Sequence, residues 1–178
     1  MAKKGGKVDV FEAIRARRSV RRYASDPVSD EVLKELLSAA ILAPSAGNAQ
    51  PWRFIVVRDL ELRKGLVSAA YGQGFLAEAP VVIVVCADLE RARRAYRERG
   101  ETLYCLQDTA AAIQNLLLAA TAKGLGTCWV GAFDEGKVAE LLGLSKGLRP
   151  VALIPVGKPA EAPSARPRRP LAEVVEYR

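Results

Sequence analysis

The sequence predicts a single α+β domain in which helices surround a central sheet. Its 178 residues are 50% hydrophobic, which is enough apolar content for one compact core. Three short runs rich in β-branched residues, 53–57, 80–86 and 150–156, are typical of strands. The longest helical pattern, 102–123, is apolar on nearly every side, so it should be buried in the centre of the domain.

The remaining elements follow from local patterns along the chain. Ser29 is a suitable N-cap for a helix that runs toward Pro44, because its hydroxyl can accept a backbone N–H of the first turn. The run 80–86 is apolar without interruption, as expected of a central strand buried on both faces. Gly124 fits the position just after a helix. Helices are predicted over residues 8–18, 30–43, 60–70, 88–101, 102–123 and 135–142. We expect the helix at 88–101 to be exposed and to carry i,i+4 ion pairs.

The carboxy-terminal stretch differs from the rest of the chain. Residues 157–170 contain four prolines, which exclude a continuous helix and predict an extended arm. Val174 and Val175 suggest a short strand after it. The arm has too little apolar content to pack on itself, so it should lie on its own body or on a partner subunit. No internal repeat or second domain is indicated, and residues 1–178 are read as one domain.

Composition excludes several kinds of chemistry. The chain has no histidine, which excludes Ser-His-Asp triads, Cys-His pairs and histidine-ligated zinc. Its three cysteines, Cys86, Cys105 and Cys128, are widely spaced in apolar or small-residue surroundings, which favours reduced, buried thiols over a metal site. The sequence therefore indicates that any catalytic chemistry is supplied by a cofactor rather than by a side chain.

The net charge of +7 is concentrated at the two ends. Residues 1–22 hold eight Lys and Arg against two acids, whereas residues 23–157 are close to neutral. Nucleic-acid binders more often spread a basic face across the fold, so we expect no nucleic-acid partner. A small anionic ligand fits this distribution, although a solvated tail explains Lys3, Lys4 and Lys7 equally well. No membrane span or signal peptide is indicated, and a cytoplasmic location is expected.

Three short motifs carry the functional prediction. The first, Arg17-Arg18-Ser19-Val20-Arg21, offers guanidinium groups and a hydroxyl to an anion, or is simply a solvated helix end. The second is the proline-bounded stretch 43–52, whose Ser, Asn and Gln residues a plain helix stop does not explain. The third, 124–133, is rich in small residues that let the main chain approach a ligand closely.

These motifs, in this order and spacing, resemble those of the nitroreductase family of FMN-dependent NAD(P)H oxidoreductases. The resemblance runs from Val10 to Val175 and implies that the first motif binds the FMN phosphate and ribityl chain. It also implies that the second motif reaches the isoalloxazine from a neighbouring subunit, and that the third places backbone N–H groups at the flavin N5/O4 edge. A basic motif, 166–170, would complete the phosphate site, with Arg168 and Arg169 not distinguished. The implied cofactor-binding residues are Arg17, Arg18, Ser19, Arg21, Pro44, Ser45, Asn48, Gln50, Gln73, Trp129, Gly131, Ala132, Arg166 and Arg168. Trp52 is interpreted as a packing anchor.

The resemblance further implies a mixed, mainly antiparallel sheet in an intertwined homodimer, with residues 158–178 exchanged between subunits. The implied reaction is a ping-pong hydride transfer from NADH or NADPH, through FMN, to a nitroaromatic, a quinone or a similar electron-poor acceptor. No catalytic side chain and no metal are required. Alternatives are a reductive dehalogenase or flavin-modifying enzyme of the same fold, a non-catalytic FMN carrier, and a protein that binds nucleic acid or another anion. The sequence does not distinguish NADH from NADPH.

Overall fold

The computed structural model describes residues 8–178, and the predicted basic tail at Lys3, Lys4 and Lys7 lies outside this range. The helices are α1 (Val10–Ala16), α2 (Asp30–Ala40), α3 (Leu60–Ala69), α4 (Phe75–Glu78), α5 (Leu89–Arg99), α6 (Cys105–Ala122) and α7 (Glu135–Leu141). The strands are β1 (Trp52–Val57), β2 (Val81–Asp88), β3 (Gly126–Thr127) and β4 (Leu148–Gly157). A π-helical turn, Gly100–Tyr104, joins α5 to α6.

The four strands form one sheet in the order β1-β2-β4-β3, and neighbouring strands are antiparallel. Strand β2 lies between β1 and β4, and its alternate residues enter two separate cores. Val81, Ile83 and Val85 pack on one side of the sheet, whereas Val82, Val84 and Cys86 pack on the other. Because side chains alternate along a strand, an unbroken apolar run is what burial on both faces requires. The prediction of a central strand is confirmed.

Helices cover both faces of this sheet. Helices α2 and α6 pack together over one face, while α3, α4 and α7 contribute to the core on the other. Ile113 and Leu116 of α6 are fully buried, as the apolar pattern of this helix predicts. The α+β class and the mainly antiparallel sheet are confirmed. Among the described residues, the parallel pairing is an isolated bridge between Ser19 and Thr127.

Helix ends follow the local sequence. The Ser29 hydroxyl accepts the N–H of Val32 at 3.3 Å, and Gly124 adopts φ +73° after α6, so both predicted caps are confirmed. Helix α6 begins at Cys105 rather than at Thr102, because the Cys105 N–H donates to the carbonyl of Gly100 within the π-helical turn. Helix α5 is exposed along most of its length and includes an i,i+4 pair between Glu90 and Arg94, as predicted.

The arm after β4 is extended and contains no helix up to Pro170, as predicted. The predicted strand at Val174 and Val175 is wrong. Instead, a 3-10 turn occupies Leu171–Glu173, and the N–H groups of Val174 and Val175 both donate to the carbonyl of Leu171. A strand requires a neighbouring strand, and within residues 8–178 none lies beside this segment, so its N–H groups bond locally.

Among residues 8–178, no helix has both the length and the apolar character that crossing a bilayer demands.

Candidate functional site

The amino-terminal arginine motif and the carboxy-terminal basic motif meet in one cleft. Although most of the chain separates them in sequence, they enclose a cavity of about 470 Å³. Its lining residues are Arg17, Arg18, Ser19, Arg21, Pro163, Ser164, Ala165, Arg166 and Arg168. Five of these nine residues are arginines and none is acidic. The cleft therefore presents a positive field and many N–H donors, which suits an anion such as a phosphate group.

The first wall of the cleft is formed where α1 ends. Arg17 leaves the helix with extended backbone angles, φ −54° and ψ 128°, so the chain turns toward the sheet. Ser19 then forms a bridge with Thr127, and the Val20 N–H donates to the Thr127 carbonyl at 2.9 Å. The carbonyl end of a helix repels anions, so the arginines clustered here reverse the local field.

The second wall is the beginning of the arm, which is fixed to its own chain. The Ala24 N–H donates to the Lys158 carbonyl, and the Ala160 N–H donates to the Arg22 carbonyl, both at 2.9 Å. Glu161 accepts the backbone N–H of Arg21 at 2.5 Å. These bonds direct residues 163–168 past the arginine motif.

Arg168 and Arg169, which the sequence did not distinguish, point to different places. Arg168 lines the cleft, whereas Arg169 forms an ion pair with Glu173 at 3.1 Å. Of the two, Arg168 is therefore placed to contact an anion in the cleft.

The small-residue loop 126–133 begins beside this cleft and is exposed at Trp129, Gly131 and Ala132, before the buried Phe133. Thr127 and Cys128 are buried, and burial raises the pKa of the Cys128 thiol while Arg21 opposes the shift. Cys128 is thus a neutral packing group rather than a thiolate. Further along, Trp129 is 40% exposed and Gly131 is exposed.

Gly131 and Ala132 present bare main chain. A Cβ placed on Gly131 would meet nothing within 4 Å, and its φ lies outside the left-handed region, so no contact among residues 8–178 requires glycine here. Within the part of the chain that the structure describes, no hydrogen bond uses the N–H of Gly131 or Ala132. Such a position suits a ligand that approaches the backbone closely.

Gln73 connects this loop to the turn before α4. Its side-chain amide donates to the carbonyl of Ala132 at 2.9 Å and to that of Ala70 at 3.1 Å. Nearby, the Arg21 guanidinium lies 5.9 Å from the centre of the Phe75 ring, at the start of α4. These two contacts connect the arginine cleft to the Gln73 turn and to the loop that bears Gly131.

The second motif adopts an irregular, internally bonded shape. The Ser45 hydroxyl accepts the N–H of Gln50 at 2.9 Å, and the amide of Gln50 donates to the Asn48 side-chain oxygen at 3.2 Å. Three residues have left-handed angles: Gly47 (φ 53°), Asn48 (φ 55°) and Gln50 (φ 53°). Pro44 and Asn48 are exposed, while Trp52 begins β1 and packs against the core, as predicted. The motif thus turns polar amide groups toward the surface.

This second motif does not lie beside the arginine cleft of the same chain. The Ala46 N–H donates to Asp108 near the beginning of α6, at 3.0 Å, whereas Arg18 lies near Thr121 at its other end. Thirteen residues of α-helix separate those two positions by about 20 Å. One chain alone therefore keeps the predicted site residues in two separate groups.

Asp108 is a residue that the sequence reasoning missed. It is 7% exposed, and its Oδ2 atom is buried without a hydrogen-bond partner among residues 8–178. Burial raises the pKa of this carboxyl, while the N–H of Ala46 opposes the shift. The available signal was a single acid in an otherwise apolar helical pattern, because a charge at such a position usually has a specific partner. Phe75, which contacts Arg21, was also not predicted, because nothing in its local sequence distinguishes it from an ordinary apolar residue.

No group of three or more His, Cys, Asp or Glu side chains suited to a metal ion occurs within residues 8–178.

Comparison with known proteins assigns the chain to a family. Residues 14–74 and 67–158 match the model of the nitroreductase family. The chain belongs to the nitroreductase family. One relative, named NADH dehydrogenase, from Thermus thermophilus, is 37% identical over 96% of this chain and 97% of its own length.

Solved structures of other nitroreductase-like proteins share the fold. An NADPH:FMN oxidoreductase from Vibrio harveyi, solved in complex with NAD+, superposes with a TM-score of 0.87 at 30% identity, covering 94% of this chain and 76% of its own. A putative nitroreductase from Exiguobacterium sibiricum, in complex with FMN, gives a TM-score of 0.85 at 26% identity, covering 96% and 97% respectively.

Proposed function

We propose that this nitroreductase-family protein is an FMN-dependent oxidoreductase that uses NAD(P)H to reduce nitroaromatic, quinone or similar electron-poor acceptors. The observation that carries the proposal is the cleft lined by Arg17, Arg21, Arg166 and Arg168 and by no acidic residue. Contacts of Arg21 with Phe75 and of Gln73 with Ala132 connect its wall to the loop that bears Gly131. An FMN phosphate carries about two negative charges near neutral pH, and arginine forks bind such groups bidentately. The family names of the relatives point to the same activity.

In this proposal each part of the site holds one part of the cofactor. The arginines and Ser19 bind the phosphate, and Gln73 supports the loop that carries Gly131 and Ala132. The unused N–H groups of that loop hydrogen-bond the ring edge and stabilise negative charge there. When bound, FMN supplies the capacity to accept a hydride from NAD(P)H and to pass the electrons to an acceptor.

The site is completed by a second copy of the chain. Ser45, Asn48 and Gln50 lie at the end of α6 opposite the arginine cleft of their own chain, about 20 Å away. In this proposal they contact the ring bound by a partner subunit. Exposed apolar side chains support a homodimer, since patches of this kind mark interfaces. They include Phe11 (65% exposed), Ile14 (51%), Leu42 (81%) and Leu171 (76%).

The arm extends onto that partner. Residues 158–161 are hydrogen-bonded to the body of their own chain, and residues 163–166 and Arg168 line its cleft, whereas the exposed residues from Leu171 to Arg178 lie beyond it. Strand β1 has β2 as its neighbour on one side only, within the described chain. A free strand edge is a ready position for a segment from another chain. The exchange of residues 158–178 is therefore confined, in this proposal, to the part beyond Pro170.

The proposal places the enzyme in the cytoplasm, where NAD(P)H is available. Cys86, Cys105 and Cys128 are all free thiols, which agrees with a reducing compartment.

The assignment of the arginines is tested by the double variant R17A/R21A. Each charged hydrogen bond to phosphate contributes about 1.5–3 kcal/mol, so FMN affinity should fall by at least ~100-fold, measured by fluorescence titration of the apoprotein. R15A/R22A is the matched control, because it removes the same charge from neighbouring arginines that do not line the cleft.

Equal affinity in the two variants would show that the phosphate binds elsewhere. A purified protein that takes up no flavin would contradict the proposed function itself. Anaerobic addition of NAD(P)H separates an enzyme from a carrier, since only an enzyme bleaches the flavin absorption band.

A further inference from the structure

The segment formed by α5 and the π-helical turn packs directly against the second motif. The side chain of Tyr96 fills the space beside Gly47, so that a Cβ there would collide with its hydroxyl. Arg91 donates to the carbonyl of Ala49, and the Asp88 N–H donates to the carbonyl of Pro51 at 3.0 Å. A group on a partner subunit that contacts Asn48 and Gln50 would therefore also lie close to Tyr96, in the carboxy-terminal half of α5.

Helix α5 is interrupted at this point. Tyr96 leaves helical geometry, and Arg97 adopts φ 51° and ψ −136°, a conformation that is strained for any residue except glycine. The interruption brings the backbone of Gly100 against the carbonyl of Ala92. Only glycine permits this approach, because a Cβ at this position would overlap that carbonyl. Strain of this kind persists where the surroundings impose it, and it concentrates at ligand sites.

The interruption gathers two aromatic rings and two arginines, which we call the aromatic–arginine patch: Tyr96, Arg97, Arg99 and Tyr104. The rings of Tyr96 and Tyr104 meet edge to face with their centres 5.2 Å apart. The Arg99 guanidinium lies 5.2 Å from the centre of the Tyr104 ring, and its Nε donates to the Tyr104 hydroxyl at 2.8 Å. Tyr96 is 42% exposed, so the patch is accessible from solvent.

The charge of the patch is not neutralised, unlike that of the preceding turn of α5. Arg93 pairs with Glu101 at 2.8 Å, and Arg94 pairs with Glu90 at 3.4 Å. Within residues 8–178, Arg97 and Arg99 form no ion pair, although Glu98 lies between them in the chain. Two arginine forks beside exposed aromatic rings are suited to a ligand that has both an aromatic ring and a negative charge.

We propose that the aromatic–arginine patch binds the electron acceptor and selects aromatic acceptors that carry a carboxylate or a similar anionic group. This inference rests on the proposed function, because it places the patch beside the flavin that the second motif contacts on a partner subunit. The tyrosine rings receive the ring of the acceptor, and Arg97 and Arg99 bind its anionic group.

The test compares two acceptors of nearly equal size, the anionic 4-nitrobenzoate and the neutral 4-nitrobenzamide, using the FMN-loaded protein. The measured quantity is the ratio of kcat/KM for the anionic acceptor to kcat/KM for the neutral one. In R97Q/R99Q we expect this ratio to fall by roughly 3- to 30-fold, the range spanned by exposed and partly desolvated charge contacts. The matched control is R93Q/R94Q, which removes the same charge from the same helix and should leave the ratio unchanged.

An equal ratio in the wild type and in both variants, with 4-nitrobenzamide still reduced, would overturn this inference and leave the proposed function standing. An increase in the KM for NAD(P)H in R97Q/R99Q without a change in the ratio would also overturn it, because the patch would then bind the dinucleotide. Failure of the wild type to reduce either acceptor with NAD(P)H would reject the proposed function, and this inference with it.

Discussion

Gly131 shows at the scale of one residue how a ligand site differs from a structural turn. Its backbone angles suit any residue and the space around it is empty, so folding alone gives no reason for glycine. The sequence identified this position from a small-residue motif, and the open space agrees with close approach of a ligand to the main chain. The role of Gly131 in binding remains a prediction.

We expect G131A to fold normally and to bind FMN more weakly. The added methyl group meets no protein atom, so the midpoint of urea unfolding of the apoprotein should match that of the wild type. FMN affinity should fall by about 10-fold or more, measured by titration, because the methyl group separates the ring from the loop N–H groups. Unchanged affinity would place the flavin ring elsewhere.

Asp108 belongs to the residues that the sequence did not reveal. The apolar pattern of α6 reveals a single acidic residue, but it does not show which distant backbone group forms a hydrogen bond with that acid. Here the partner is the N–H of Ala46 in the second motif. D108A should leave that N–H without its partner and reduce the free energy of unfolding by about 1–3 kcal/mol, measured by urea denaturation. D108N, which keeps a side-chain oxygen, should lose less.

The pH dependence of D108N isolates the ionisation of this carboxyl. Because burial raises its pKa in the folded protein, the folded state binds the proton more tightly than the unfolded state does. Raising the pH from about 4, the ordinary pKa of aspartate, through the raised value should therefore destabilise the wild type relative to D108N. A wild-type advantage over D108N that grows with pH across this window would contradict the prediction.

At the scale of elements, local chemistry predicted most of the secondary structure. Ser29 caps α2, Gly124 ends α6, and the burial of β2 on both faces follows from its apolar run. The interruption of α5 was not predictable in this way. It depends on the close approach of Gly100 to the carbonyl of Ala92. The spacing of charged and apolar residues along the chain does not indicate this contact.

Gly124 offers a direct test of helix termination. At φ +73° any side chain is strained, so G124A should lower the free energy of unfolding by about 1–2 kcal/mol. G74A is the matched control, since Gly74 has equally open surroundings but helical angles, φ −57° and ψ −30°. Urea denaturation of both variants with saturating FMN provides the comparison, and equal losses would show that φ is not the cause.

At the scale of the whole molecule, the class of fold predicted from the sequence is confirmed, whereas the meeting of the two basic motifs was expected only from the family resemblance. Motif chemistry depends on residues close together in the chain, and the meeting of Arg17 with Arg166 depends on the path of the entire fold. The strand predicted at Val174 and Val175 failed for a related reason. Val174 and Val175 have a high propensity for strands, but a strand forms only where a neighbouring strand is available for hydrogen bonding.

Removing residues 171–178 should weaken the dimer and spare the arginine cleft. The exposed Leu171, Val174 and Val175 lie beyond the cleft residues, so FMN affinity should change little in a protein that remains dimeric at high concentration. Sedimentation velocity over a dilution series should show dissociation at higher protein concentrations than in the wild type. Removal of residues 158–178 serves as the comparison and should also abolish FMN binding. Unchanged sedimentation of the shorter truncation would mean that this segment packs on its own subunit.

The shared cleft also has a consequence for synthesis of the protein. Arg17 leaves the ribosome before all four strands of the sheet, whereas Arg166 and Arg168 emerge only after β4. The complete cleft therefore cannot exist before Arg168 has been synthesised, and in the proposed function a phosphorylated ligand binds tightly only after that point. Ligand binding would then link the segment after α1 to the arm after β4, and a protease cut between β4 and Arg166 would break that link without cutting the core.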